Sequence, residues 1–317
     1  MPRVAAIDCG TNSIRLLLAD AGGVGTAAGR LTDVHRETRI VRLGKGVDAT
    51  GVLAAEAIER TRLALADYTA ILRGADAERV RMVATSATRD AANREDFFGM
   101  VRDTLGTDAE VISGDTEARL SFTGAVGDLS AADGPFVVVD VGGGSTEVVV
   151  GSVDGGEVRV HAARSVDIGC VRITERCLRS DPPTAPERTA ARDLAHSVLA
   201  EAFEHVPVAE ANTWVGVAGT VTTLSAVAQN LPEYDPERIH LSRLPLPELH
   251  RVADELLTLP RAGRLAFGAM HPGRVDVIGG GALIVAILAD ELAKRAGITE
   301  LVVSEHDILD GIALSLL

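Results

Sequence analysis

Two aspartates, each closing an apolar run and each followed by a turn of glycines and small hydroxyls, are the residues of this chain best placed to do chemistry. The first run is Val4-Ala5-Ala6-Ile7-Asp8, followed by Cys9-Gly10-Thr11-Asn12-Ser13. The second is Phe136-Val137-Val138-Val139-Asp140, followed by Val141-Gly142-Gly143-Gly144-Ser145-Thr146-Glu147. Such a turn lets backbone N–H groups approach an anion with no Cβ in the way. An aspartate at the strand end can hold Mg²⁺, or a water, beside that anion. Asp140 and Glu147 flank their turn, so both carboxylates can serve one cation and Glu147 can help position a water. Their plainer readings are a turn-capping aspartate and a solvated strand glutamate. In the first turn Asn12 and Ser13 can donate to a phosphate, and Arg15 either neutralises it or points to solvent. A single Asp-Gly turn carries little, because such turns close many hairpins. Two of them, 132 positions apart (140 − 8), predict a duplicated fold with a phosphate cleft between its halves.

The elements that position these turns follow from apolar spacing. Residues 3–20 read as a β-hairpin and 34–42 as a third strand. Gly44 to Gly51 reads as a loop, and 52–73 carries apolar residues at helical spacing. A strand, Val80-Arg81-Met82-Val83-Ala84, leads into Thr85-Ser86-Ala87-Thr88-Arg89. A helix over 94–105, a short strand at 109–112 and a helix opening at Ser113-Gly114-Asp115 complete the first half. That last helix carries Glu117. A carboxylate at the start of a helix can orient a water for attack on a phosphoanhydride; equally, it can be a first-turn glutamate stabilised by the helix dipole. The second half repeats the plan: strands over 136–166, a helix near 168–178, a long helix to about 205, a strand over 213–217 ending at Ala218-Gly219-Thr220, helices to 296, a strand at 301–304 and a helix at 307–316. Strand–helix alternation after hairpins in both halves indicates an α/β duplication. We expect one lobe over 1–124 plus 303–317 and the other over 125–302, with hinges near 124–126 and 302–304.

Composition bounds the function. With 317 residues the chain can form two cores. A net charge of −14 argues against nucleic acid or a membrane surface as partner, though a local basic groove can still take a polyanion. Lys45 and Lys294 are the only lysines, so arginine carries nearly all the positive charge. Its planar fork suits phosphate, and a GC-rich codon bias gives the same excess. Arg36, Arg39, Arg42 and Lys45 form a basic run that either extends a phosphate path or is a solvated face. Cys9, Cys170 and Cys177 lack metal spacing and read as reduced thiols of a cytoplasmic protein, Cys9 as a small buried filler. No secretory leader pattern opens the chain, and no uncharged run is long enough to span a membrane.

Four motifs stand in order: Asp-x-Gly-Thr-Asn-Ser-x-Arg-Leu at 8–16, Ala-Thr-Ser-Ala-x-Arg at 84–89, Ser-Gly-x-x-Glu-Ala-Arg-Leu at 113–120 and Asp-x-Gly-Gly-Gly-Ser-Thr-Glu at 140–147. Together they resemble the exopolyphosphatase/guanosine pentaphosphate phosphohydrolase (Ppx/GppA) family, and are most similar to its short actinobacterial type. Val217-Ala218-Gly219-Thr220, Arg274-x-Asp276-Val277-Ile278-x-Gly280 and Val303-Ser304 with Leu309-Asp310-Gly311 extend the similarity over essentially the whole chain. Longer members carry added C-terminal helical domains, and this chain reads as ending before them. The resemblance implies a two-lobed actin-like ATPase-domain (ribonuclease H-like) duplication with an interdomain cleft. It implies Glu117, Asp140 and Glu147 as catalytic residues. Phosphate binding falls to Thr11, Asn12, Ser13, Arg15, Thr85, Ser86, Arg89, Gly142, Gly143, Gly144, Ser145, Gly219 and Thr220, the last two where actin-like proteins contact a nucleoside. It implies Mg²⁺ or Mn²⁺ held by Asp8, Asp140 and Glu147, and a homodimer. In two places the chain departs from the pattern: Thr116 stands where glutamate is common, and Asp310 where many members have glutamate.

The expected activity is release of orthophosphate from the end of inorganic polyphosphate by water attack, with Glu117 as base. Guanosine pentaphosphate is the alternative substrate, since the reacting anhydride is the same. An actin-like kinase would share the phosphate loops, but the Glu117 context and the Asp140-to-Glu147 motif stand against it. A sensor of polyphosphate or alarmone with little turnover is the third class.

Overall fold

The structure is a computed structural model that describes residues 2–22 and 31–317. It divides into two compact units, Met1–Asp128 with Ile308–Leu317, and Leu129–Asp307.

The first unit is built on a sheet of β1 (Arg3–Cys9), β2 (Ser13–Ala21), β3 (Leu31–Ile40), β4 (Arg79–Ala84) and β5 (Ala109–Val111), in the order β3-β2-β1-β4-β5. The first three strands pair antiparallel, whereas β1, β4 and β5 pair parallel. Both faces of β1 are covered, which is why its sequence is a continuous apolar run and not an alternation. Ala5, Ile7 and Cys9 share a core with Leu65, Tyr68 and Phe97. Val4 and Ala6 share the other with Ile308, Leu309 and Ile312 of the terminal helix, Ile308–Leu314. Each fully buried large side chain of this kind contributes about 1.5–3 kcal/mol.

The helices of this unit are α1 (Val47–Thr50), α2 (Ala55–Gly74), α3 (Ser86–Asp90), α4 (Arg94–Leu105) and α5 (Gly114–Ala125). Two short helices here add to what the sequence predicts. The loop expected between Gly44 and Gly51 contains α1, with left-handed glycines at both of its ends, Gly46 (φ 79°) and Gly51 (φ 67°). The segment after β4, to which the sequence assigns no element of its own, is the short helix α3. Ser113 starts α5 by accepting the Thr116 amide on its hydroxyl, as an N-cap serine does.

The second unit repeats the arrangement with β6 (Phe136–Val141), β7 (Thr146–Asp154), β8 (Glu157–Val166), β9 (Thr213–Val217), β10 (Arg243–Pro245) and β11 (Glu300–Val303), in the order β10-β11-β9-β6-β7-β8. Again three consecutive strands pair antiparallel, and parallel strands follow on the far side of the first of them. Its helices are α6 (Cys170–Cys177), α7 (Ala185–His205), α8 (Ala218–Ala228), α9 (Pro236–Ile239), α10 (Leu246–Thr258), α11 (Arg261–Arg264) and α12 (Ile278–Ala296); the terminal helix of the first unit is then α13. Helix α7 begins with a reciprocal capping box between Thr184 and Glu187. The sequence places the return to the first lobe at 303. Instead β11 pairs with β9 through Leu301, Val302 and Val303, so the second unit keeps the chain to Asp307. Among the described residues, no helix is long and apolar enough to cross a membrane.

Candidate functional site

In the first unit the β1–β2 turn is closed by the Gly10 amide, which donates to the Ser13 carbonyl at 2.9 Å. The carbonyl of Thr11 accepts from the Gly44 amide (2.8 Å), and that of Asn12 from the Val41 (3.0 Å) and Arg42 (2.8 Å) amides. The carbonyl side of the turn is therefore taken up by the segment after β3. Thr11 and Asn12 are buried, and the Thr11 hydroxyl is a buried polar atom with no partner. Native structures rarely leave such an atom unsatisfied, which marks it as a place for a ligand. Thr85 and Ser86 are buried beside this turn, with the Thr85 amide on the Cys9 carbonyl at 3.2 Å. Burial, reinforced by Asp8, pushes the Cys9 thiol well up, so it is a filler and not a nucleophile.

Arg15 lies directly opposite Asp8 in the β1–β2 register. Its Nη2 and Nε donate to Asp8 Oδ2 at 2.7 and 3.0 Å, and the pair is largely buried. The side chain therefore does not point to solvent, and a carboxylate of its own hairpin accepts from it. The basic run after it is also largely answered. Arg36 forms a two-pronged pair with Asp310 (3.2 and 2.5 Å), and Arg39 bonds Glu37 and Asp67 while lying over the Tyr68 ring. Asp310, where the resemblance implies glutamate, reaches this arginine.

Glu117 is buried in the first turns of α5. Arg89, at the end of α3, donates from Nη1 to the Ile112 carbonyl (2.9 Å) and to Glu117 Oε2 (3.1 Å). The arginine expected to reach for phosphate thus holds the carboxylate. Thr116 places its hydroxyl 3.0 Å from that of Ser113 and so joins the cap of α5. Gly311 of α13 backs the same helix. A Cβ there would lie 2.0 Å from the Leu120 carbonyl, so only glycine allows this approach.

In the second unit the Gly142 amide closes the β6–β7 turn onto the Ser145 carbonyl at 3.1 Å, the counterpart of Gly10 on Ser13. The amides of Cys170, Val171 and Arg172, which open α6, donate to the carbonyls of Gly142 (2.9 Å) and Gly143 (2.9 and 3.2 Å). Arg172 Nε holds the Gly144 carbonyl at 2.8 Å. With its carbonyls turned back into α6, the turn presents its amide edge to any ligand. Gly169 makes this possible, because a Cβ there would lie 2.5 Å from the Gly143 carbonyl group.

Asp140 and Glu147 are directly opposite in the β6–β7 register, and both are buried. Glu147 accepts the Ser165 hydroxyl at 2.7 Å from β8. Opposed residues of an antiparallel pair share a face, with Cβ atoms about 4.5–5.5 Å apart. Two carboxylates so placed are an oxygen donor pair suited to a divalent cation.

After β9, Ala218 takes a left-handed conformation (φ 66°) at the entry to α8, a strained geometry for alanine. A Cβ on Gly219 would overlap the Arg274 guanidinium, at 1.4 Å from Nη1. Arg274 is thereby laid on the bare backbone of Gly219, next to buried Thr220. Burial raises the Cys170 thiol, opposed by Arg274 and by a hydrogen bond with Thr220. These three residues are therefore neighbours, and Cys170 ties them to the glycine turn through its amide. Sequence reasoning missed Gly169 and Ser165 and assigned no role to Arg274. The Arg274-x-Asp276 motif was the available signal for Arg274; nothing short of the strand register could have identified Ser165.

The sequence matches the Ppx/GppA phosphatase family over residues 24–316. This chain belongs to that family. It is 61% identical to exopolyphosphatase 2 of Mycobacterium tuberculosis, over 100% of this chain and 99% of the relative. It is 33% identical to the guanosine-5'-triphosphate,3'-diphosphate pyrophosphatase of Photobacterium profundum, over 87% of this chain but 49% of that longer protein. The crystal structure of an exopolyphosphatase-like protein superposes with a TM-score of 0.93 at 41% identity, covering 99% of this chain and 98% of the other. The two mixed sheets with their helices are the actin-like ATPase fold of the family, and family membership makes the chain a phosphoanhydride hydrolase.

Proposed function

We propose that this family member is an exopolyphosphatase, releasing orthophosphate from the end of inorganic polyphosphate by attack of water. The observation that carries the reading is the buried Asp140–Glu147 pair beside a glycine turn whose carbonyls are already bound. Such a pair fits Mg²⁺ or Mn²⁺, hard cations that take carboxylate oxygens. When bound, the ion would offset charge on the phosphate oxygens. Asp8, the third carboxylate expected at the ion, is paired with Arg15 through Oδ2.

The remaining groups divide the work. Glu117 accepts the proton of the attacking water, and Arg89 fixes its carboxylate through Oε2. In the second unit the amide edge of Gly142, Gly143, Gly144 and Ser145 binds phosphate oxygens, and in the first unit the Thr11 hydroxyl with Asn12 and Ser13 does so. Thr85, Ser86, Gly219 and Thr220 extend the phosphate contacts. The name of the Mycobacterium relative supports this substrate. Arg274 on Gly219 favours a second reading, guanosine pentaphosphate, because a guanidinium plane at this loop suits a nucleotide, and the Photobacterium relative is named for such a substrate. The three free cysteines, two of them buried, support a reducing, cytoplasmic setting. A homodimer is carried over from the family and is checked by sedimentation.

The test is phosphate release with Mg²⁺ from polyphosphates of several lengths, guanosine pentaphosphate and ATP, beside Glu117→Gln. We expect polyphosphate to be the best substrate and the variant to lose about 10²–10⁴-fold in rate while still binding it. Faster release from guanosine pentaphosphate moves the assignment to the second reading. Binding with no release from any substrate ends the hydrolase reading and leaves a sensor.

A further inference from the structure

Away from both glycine turns, the second unit contains a cavity of about 260 Å³ lined by Arg179, Asp181, Arg261, Arg264 and the first turn of α12. Arg264 is the informative group. Its side chain is only 7% exposed, and a guanidinium carries five N–H donors. It gives Nη2 to Asp181 Oδ1 at 2.7 Å, and its Nε is buried without a partner. Burial pulls its pKa below the ordinary arginine value despite Asp181 and Asp276. The acids nearby are already in use. Both oxygens of Asp181 accept the Arg261 amide at 2.9 Å, and Asp276 takes Arg261 Nε at 2.8 Å.

Other donors converge on the same space. The Arg179 side chain lines the cavity and makes no hydrogen bond or ion pair among the described residues. Helix α12 is 19 residues long and starts at Ile278 with no side chain capping it. Its Gly279 and Gly280 line the cavity, and Arg264 Nη1 lies 3.3 Å from where a Cβ of Gly279 would be. The Ile278 amide at the helix start donates to the Arg274 carbonyl (2.9 Å), and the amides of Gly279 and Gly280 follow it at the positive end of the helix dipole. A buried guanidinium whose Nε has no partner, a second arginine and a helix start with no side-chain cap thus meet at one cavity, where the lining carboxylates Asp181 and Asp276 already accept from Arg261 and Arg264; buried donors such as this Nε are nearly always satisfied.

We propose that this cavity is a second anion site, distinct from the catalytic loops, that takes a phosphate group. The donors approach from a helix axis and from two separate guanidinium planes. That spread suits a tetrahedral oxyanion better than a flat carboxylate, which one fork would satisfy. The phosphate is either free orthophosphate or one unit of a longer phosphate chain.

Calorimetric titration of the whole protein with orthophosphate, and separately with tripolyphosphate, tests this beside Arg264→Gln and Arg179→Ala. Crystals soaked in tungstate locate the site directly. We expect a tungstate peak among Arg179, Arg264 and the Gly280 amide. We also expect one class of binding site to be lost in Arg264→Gln and weakened about tenfold in Arg179→Ala, as for a charged hydrogen bond. Loss of orthophosphate binding assigns the free ion; loss of tripolyphosphate binding alone assigns a chain. Arg179 is exposed and unpaired, so its variant carries the test if Arg264→Gln does not fold. No peak in the cavity, with superimposable wild-type and Arg179→Ala isotherms, overturns the proposal. Phosphate release measured on the same preparations separates this outcome from failure of the hydrolase reading.

Discussion

The two glycine hairpins have the same backbone and opposite charge chemistry. Each is closed by a glycine amide on a serine carbonyl, Gly10 on Ser13 and Gly142 on Ser145, and each sets its strand-end aspartate opposite the residue seven positions on. In the first hairpin that partner is Arg15, and the pair neutralises itself at 2.7 Å. In the second it is Glu147, and two carboxylates face one way. The duplicated scaffold thus places an arginine opposite the aspartate of one hairpin and a second carboxylate opposite that of the other. The difference rests on a single position, 15 against 147, with the same 132-residue offset as Asp8 and Asp140.

That contrast can be broken from either side. The largest effect is expected from Glu147→Arg, which turns the second hairpin into a copy of the first. Phosphate release should fall by at least about 10³-fold, as when a preorganised electrostatic group is removed, with the circular dichroism spectrum unchanged. Retained activity would show that the carboxylate pair is not the cation site.

The reverse exchange, Arg15→Glu, puts two buried carboxylates across the first hairpin. Breaking a buried ion pair costs about 3–5 kcal/mol, so a clear drop in thermal midpoint is expected. If a carboxylate pair on this scaffold is enough to recruit a divalent ion, millimolar Mg²⁺ should raise the midpoint of this variant more than that of the wild type. An equal rise in both would mean that the hairpin geometry alone does not make the site.

A smaller effect is expected from Ser165→Ala, which removes the hydroxyl that orients Glu147. Loss of a hydrogen bond to a charged group, about 1.5–3 kcal/mol, should appear mainly as a weaker Mg²⁺ dependence of the rate. An unchanged Mg²⁺ titration would leave Ser165 a structural residue.

The smallest expected difference lies in the two buried thiols. Cys9 sits beside Asp8, which raises it further, whereas Arg274 and Thr220 oppose the rise at Cys170. As pH increases, Cys170 should be alkylated before Cys9, and both should lag behind half-buried Cys177. The opposite order, read by peptide mass spectrometry, would contradict the charge contrast between the two turns.

Much of this is open to sequence reasoning because it is local. An apolar run, a terminal aspartate and a glycine turn specify a hairpin within about a dozen residues, and covering both sheet faces demands the continuous apolar strands that β1 and β6 have. Repetition of that unit carries the duplication, and the helix expected over 94–105 forms over those same residues, Arg94–Leu105. The short helices α1 and α3 escape such reasoning, since four or five residues hold too little periodicity to register.

What only the tertiary structure decided concerns which charge meets which. Arg15 and Arg89 both carry the pattern of phosphate contacts; the first is held by Asp8 across the strand register and the second holds Glu117 from a neighbouring helix. Arg36 meets Asp310 from 274 positions away, and Gly169, Gly219 and Gly311 are places where another part of the chain lies against bare backbone. The physical reason is range. Hydrophobic periodicity and turn chemistry act between near neighbours in the chain, so one sequence window contains them. Ion pairs and close packing act between atoms within a few ångströms in space, and that proximity exists only after the sheets have formed and the helices have packed on them.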